Sequence, residues 1–197
     1  MITSIFIETE RLYLRQWRSS DHEPYIAMNL DKEVMEFFPA QLSAEESTAH
    51  IKRMSNYIEE KGYGLFAVER KDTNKFIGFT GFSHPKFEAY FTPCTEIGWR
   101  IAKEHWNLGF ATEAAKACLA FGFRNLKLEK IYSFTSIHNK RSEQVMIRIG
   151  MEKMGEFEHP LLEQDHYLQK HVLYKTNPYI SAKPLLRTVS AVGKVSK

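Results

Sequence analysis

From residue 5 to residue 17 apolar and polar positions alternate: Ile5 and Ile7, then Leu12 and Leu14 with Arg11, Tyr13 and Arg15 between them. A two-residue period predicts a half-buried first strand. Ser20 or Asp21 is placed to cap a helix running to about Leu30, and residues 31–38 predict one more helical turn, ended by Pro39. Ser43-Ala44-Glu45-Glu46 has capping-box spacing, serine at the cap and glutamate three on. The helix it opens carries Ala49, Ile51, Met54, Tyr57 and Ile58 and stops at Gly62. Residues 63–70 and 75–82, parted by the turn-forming Asp72-Thr73-Asn74, predict a hairpin. A loop over residues 83–93, with Phe87, Tyr90 and Phe91, leads to an apolar fourth strand ending at Ala102, an antiparallel neighbour of the third. An alanine-rich helix over 111–123, a fifth strand over 130–136 and a helix from Asn139 to Ile149 with Gly150 as its C-cap follow. Two last strands, 151–158 and 171–174, close the pattern, and no internal repeat occurs.

Between the fourth strand and the alanine-rich helix lies a short connection, residues 105–110, with one glycine, Gly109. The first amides of a helix have no partners within it and carry the positive end of its dipole. A strand, a tight loop and a helix start in succession therefore make a place for a phosphate or pyrophosphate, and glycine lets the backbone approach the anion.

Composition narrows the classes. The chain has 197 residues, 43% hydrophobic and 26% charged, which suits one domain with an adequate core. A net charge of +3 does not argue for DNA. No apolar run approaches the ~20 residues of a membrane span, and the first ten residues lack the basic start and apolar core of a signal peptide. Two cysteines, Cys94 and Cys118, far from any Cys-x-x-Cys spacing, fit a reducing, cytoplasmic setting. The eight histidines form no zinc-like grouping with the cysteines, so no metal is expected. Beyond residue 176 the character changes: residues 177–197 hold Pro178, Pro184, Lys183, Arg187, Lys194 and Lys197 and no acid. They read as a basic, flexible tail on a domain of residues 1–176, free to dock on it or on a neighbour, so a homodimer is possible.

Trp106-Asn107-Leu108-Gly109-Phe110-Ala111, followed by Thr112-Glu113-Ala114, resembles the acetyl-CoA loop of the GNAT superfamily of N-acetyltransferases, in particular the ribosomal-protein N-terminal acetyltransferase (RimJ/RimL-type) branch, which often reads W-G-K-G-Y-A-T-E-A. Asn107 stands for the first glycine and Leu108 for the lysine, which implies a stiffer loop with one cation fewer. The resemblance extends from about Glu8 to Lys175 and includes E-T-E-R-L-Y-L-R, E-I-G-W-R-I and N-K-R-S-E-Q-V-M-I-R-I-G-M. It implies an α/β (α+β) GNAT fold: a mixed sheet of about seven strands, splayed between the fourth and fifth, with about four helices.

The same resemblance implies an acetyl-CoA-dependent N-acetyltransferase acting on a small-molecule amine or a peptide N-terminus in a ternary complex. The other reading is an acyl-CoA-binding sensor or interaction module without turnover. Amides of Leu108, Gly109, Phe110, Ala111 and Thr112 would hold the pyrophosphate, with Trp106 and Asn107 completing the loop. A backbone amide near Ile101 would face the oxyanion. Glu96 is the expected base, because an attacking amine must lose a proton. Ser142, from the branch's Asn-x-x-Ser pattern, would give a proton or hydrogen bond to the departing thiolate, and Asn139 would bind the pantetheine region or cap its helix. Trp17, Met35, Phe37, Phe38, Phe82, His84, Tyr90 and Trp99 are expected around the acceptor. Farther on, His159, His166 and His171 offer a histidine cluster whose ordinary reading is core or pocket packing.

Overall fold

The computed structural model describes residues 4–176; the basic tail lies outside them. Its strands are β1 (Ile5–Glu8), β2 (Leu12–Arg15), β3 (Leu65–Arg70), β4 (Phe76–Ser83), β5 (Glu96–Ile101), β6 (Tyr132–Ser136), β7 (Met151–Glu158) and β8 (Lys170–Thr176). The helices are α1 (His22–Leu30), α2 (Ala44–Lys61), α3 (Phe110–Arg124) and α4 (Lys140–Arg148). One sheet runs β1-β2-β3-β4-β5-β6-β8-β7, antiparallel throughout except between β5 and β6. There are eight strands rather than about seven. The alternating stretch that starts the chain breaks after Glu8 and doubles back as two strands, because Thr9 Oγ1 accepts from the Leu12 amide and closes a turn that periodicity alone does not show.

Helices cover both faces. Phe79 of β4 packs beside Tyr25 of α1, whereas the Phe82 ring lies against Gly122 of α3. Positions three apart on a strand face opposite ways, so α1 lies over one face and α3 over the other. Gly122 permits this approach: a Cβ there would lie 2.7 Å from Phe82 Cζ. Ser43 and Glu46 form the expected capping box on α2, and Gly62 ends that helix with φ 74°.

One helix-start expectation differs. Asp21 does not cap α1 with its side chain. Its carboxylate is committed to the buried Arg15 guanidinium through contacts of 2.7 and 2.8 Å, and Arg15 also reaches Glu69 at 2.7 Å. A buried cation with two carboxylates is satisfied only when all stay paired, and this outweighs a cap. Residues 31–38 form a series of turns, with the Met35 amide bonded to Asp31 and that of Phe38 to Met35.

Candidate active site

The sheet opens at one point. Strand β5 pairs with β4 along its whole length, but with β6 only at Glu96 opposite Tyr132. The Ala102 amide donates to Ile77 at 2.9 Å, so the even-numbered amides of β5 face β4. Those of Trp99 and Ile101 face away, into the wedge. Across it, Ile137 and Thr176 bond over the β6–β8 seam, which turns the backbone of Phe134 and Ser136 toward the same wedge. Backbone groups without ladder partners need another chain or water. The parted strands edge a cleft of about 800 Å³ that continues to the start of α3.

At that end the loop is held open toward the cleft. Asn107 and Gly109 are left-handed, φ 59° and 81°, a conformation that asparagine tolerates better than most other non-glycine residues. The first helical bond of α3 runs from the Glu113 amide to the Gly109 carbonyl, leaving the amides of Phe110, Ala111 and Thr112 without a helical acceptor. Arg11 fixes the outside of the loop. Its Nε donates to Glu113 at 2.6 Å, its Nη1 to the Leu108 carbonyl at 3.0 Å, and its guanidinium covers the Phe110 ring at 4.5 Å. Thr9 Oγ1 donates to the other Glu113 oxygen at 2.6 Å. Burial pushes the Glu113 carboxyl up, but the bonds from Thr9 and Arg11 outweigh it and hold the carboxyl below its usual range. Two sequence motifs about a hundred residues apart are thus one clamp. Trp106 ties the loop to β5 by donating from Nε1 to the Ile101 carbonyl at 2.7 Å. Leu108 is exposed, while Arg148 and Arg141 of α4 line the cleft, Arg141 paired with Glu36 at 2.8 Å and lying over the Trp106 ring.

Glu96 sits where the wedge closes. Burial pushes its carboxyl up to about 7, although Ser83 Oγ donates to it at 3.0 Å. Gly98, two residues on and on the same face, leaves the strand bare: a Cβ there meets only Glu96 Oε1, at 4.0 Å. Across the cleft, Asn139 caps α4, accepting from the Ser142 amide at 3.1 Å and donating to Thr135 Oγ1 at 3.1 Å. Both ends of the Asn139 side chain are therefore used within the protein, and Ser142 lines the cleft one turn into the helix. Neither thiol competes as a nucleophile: burial pushes Cys94 up to about 11 and raises Cys118 further.

Of the aromatics expected around an acceptor, Phe37, Phe38 and Trp99 line the cleft. Trp17, Met35 and Phe82 are core, Tyr90 is exposed, and His84 bonds to the Cys94 carbonyl outside it. Two of the three histidines read as core or pocket packing, His159 and His171, line the cleft as well. His159 packs 4.6 Å from Phe87 and 4.9 Å from His171, with Phe134 and Phe157 around them, while His166 stacks on Tyr167. His171 Nδ1 donates to the Gln169 carbonyl, and burial pushes this ring down to about 4, so it is neutral at pH 7. Phe157 and His171 meet because β7 pairs with β8, with Phe157 opposite His171.

The family described as "Acetyltransferase (GNAT) domain" matches residues 11–152. The chain is 32% identical over 180 residues to the uncharacterized N-acetyltransferase YoaA of Bacillus subtilis, covering 90% of this chain and 97% of that protein. It is 33% identical over 153 residues to another, YnaD, of the same organism, covering 77% and 85%. An acetyltransferase (GNAT family) from Bacillus anthracis, known as a crystal structure, superposes with a TM-score of 0.74 at 26% identity, covering 89% of this chain and 99% of that one.

Proposed function

The chain belongs to the acetyltransferase (GNAT) family, and on that footing we propose that it moves an acetyl group from acetyl-CoA to a primary amine, by direct attack in a ternary complex. One observation carries the reading: the wedge between β5 and β6 closes at Glu96, a carboxyl held near neutrality by burial. The residues fit the donor. Amides of Phe110, Ala111 and Thr112 suit its pyrophosphate, and Glu113, the acid nearest them in the chain, is already paired. The wedge amides of Trp99 and Ile101 suit an extended polar arm and a developing oxyanion. Bound there, acetyl-CoA supplies an activated thioester.

The chain's own groups do the rest. Glu96 takes the proton of the incoming amine, directly or through water, and its raised pKa suits a base working near pH 7. Ser142 offers a hydrogen bond to the sulfur that leaves. The Trp106 to Ala114 segment resembles the ribosomal-protein branch, which keeps a peptide N-terminus beside small amines among the acceptors. The two free cysteines suit a cytoplasmic setting. Among the described residues no helix is long and apolar enough to cross a membrane. Calorimetry with acetyl-CoA, followed by thiol release over an amine panel, tests the proposal. No binding at millimolar concentration removes it, and binding without release to any amine supports an acyl-CoA sensor instead.

A further inference from the structure

Arg100 is a half-buried cation that no carboxylate among the described residues pairs with. It lies on β5 on the same face as Glu96 and Gly98 and lines both the large cleft and a smaller cavity of about 460 Å³ beside α2. Its Nη1 donates to Asn29 Oδ1 of α1 at 2.5 Å. The guanidinium lies 4.0 Å from the Phe38 ring and 5.4 Å from that of Phe79. Its Nε is buried and has no partner among the described residues. Tyr25 of α1 and His50 of α2 interact with it, and Arg53 of α2 lines the smaller cavity beside it. Glu46 lines the smaller cavity, but its carboxylate accepts from the Ser43 amide in the capping box. Elsewhere in this chain a buried arginine is matched: Arg15 holds two carboxylates. Burying an unmatched guanidinium is costly, and the cost is recovered when an anion arrives.

We propose that Arg100 is the specificity determinant of the acceptor site, and that the acceptor is a primary amine that also carries a carboxylate or a phosphate. The anion lies on Arg100, the ligand crosses the bare backbone at Gly98, and the amine reaches Glu96. The two ends are four residue steps apart along the strand, roughly 13 Å between Cα atoms. Phe79, the cross-strand partner of Arg100, lies against the guanidinium and keeps it at its own end. This spacing suits an amine and an anion joined by several bonds rather than the two-bond spacing of an α-amino acid. The inference rests on the acetyltransferase reading and adds the chemical class of its acceptor.

The test compares ω-amino acids of two to six carbons, and aminoalkylphosphonates of matching length, with the corresponding n-alkylamines. Thiol release gives kcat/KM, and calorimetry gives acceptor affinity on CoA-saturated protein. We expect at least a tenfold preference for anionic members, rising with chain length. The preferred arm tells carboxylate from phosphate. Arg100→Met should abolish the preference while acetyl-CoA affinity is retained and the melting temperature holds or rises, since an unmatched, half-buried charge is removed. A structural arginine would instead lower the melting temperature by several degrees, and that result overturns the assignment. Gly98→Leu, which fills the crossing point, should weaken anionic acceptors without weakening acetyl-CoA. Equal rates for anionic and plain amines overturn the inference and leave the acetyltransferase reading standing. If acetyl-CoA binds but no amine is acetylated, the transferase reading falls, and calorimetry decides alone: 6-aminohexanoate binding lost in Arg100→Met supports the anion site, and no binding overturns it.

Discussion

Replacing Glu96 with glutamine should make the protein a poorer catalyst and a more stable fold, in a pH-dependent way. Burial holds the carboxyl at about 7 against an ordinary 4.5. A tenfold change in acidity corresponds to about 1.36 kcal/mol, so ionising this group in the folded chain costs about 3 kcal/mol more than in the unfolded one. The sign follows from linkage: the folded state binds this proton more tightly, so its contribution is fully present below pH 4.5. It is lost as pH rises through about 7. Glutamine mimics the protonated acid at every pH. Glu96→Gln should therefore match the parent near pH 4.5 and exceed it at pH 8 by up to about 3 kcal/mol, or roughly 5–10 °C in melting temperature for a chain of this size. In kinetics at saturating acetyl-CoA, the parent should show an acid limb in kcat/KM for the amine near pH 7. The variant should lose that limb and roughly a hundredfold or more in rate. Thermal melts at both pH values and a pH–rate profile check this. A stability difference that stays constant between pH 4.5 and pH 8, or an acid limb surviving in the variant, would refute the argument.

Other variants probe the loop, the helix and the core. Gly109→Val places a β-branched residue at φ 81°, with its Cβ 3.5 Å from Arg11 Nη2, and should weaken acetyl-CoA at least tenfold by calorimetry; normal affinity would contradict the loop assignment. Arg11→Ala removes the bonds to Glu113 and the Leu108 carbonyl and should also raise the acetyl-CoA dissociation constant, with turnover at saturation largely kept. Ser142→Ala should slow thiol release roughly ten- to a hundredfold at unchanged cofactor affinity, and an unchanged rate would remove Ser142 from the chemistry. Gly122→Val drives side-chain carbon into Phe82, Ile131 and Leu128 and should cost about 2–3 kcal/mol in denaturant unfolding, with no selective effect on either substrate.

The order of elements was open to reading from the chain alone, and so was the place of the loop. Capping at Ser43, termination at Gly62 and the helix start after Gly109 depend on residues a few positions apart, so neighbouring sequence determines them. Local pattern did less well wherever a distant partner competed. Asp21 gave up its cap to Arg15, which Glu69 also holds, and the first strand split at Thr9. Glu96 was legible as an acid at a strand start, but its neutral-range carboxyl depends on the strands closing around it. The Arg11–Glu113 clamp joins residues 102 positions apart, and the His159–His171 wall depends on how β7 and β8 pair. Arg100 in sequence is an ordinary polar position on a strand. Only when α1, α2 and residues 31–39 fold over it does it become a half-buried charge with a buried, unbonded Nε and no paired acid among the described residues, because burial and pairing are properties of what the chain brings together in space and not of what adjoins along it.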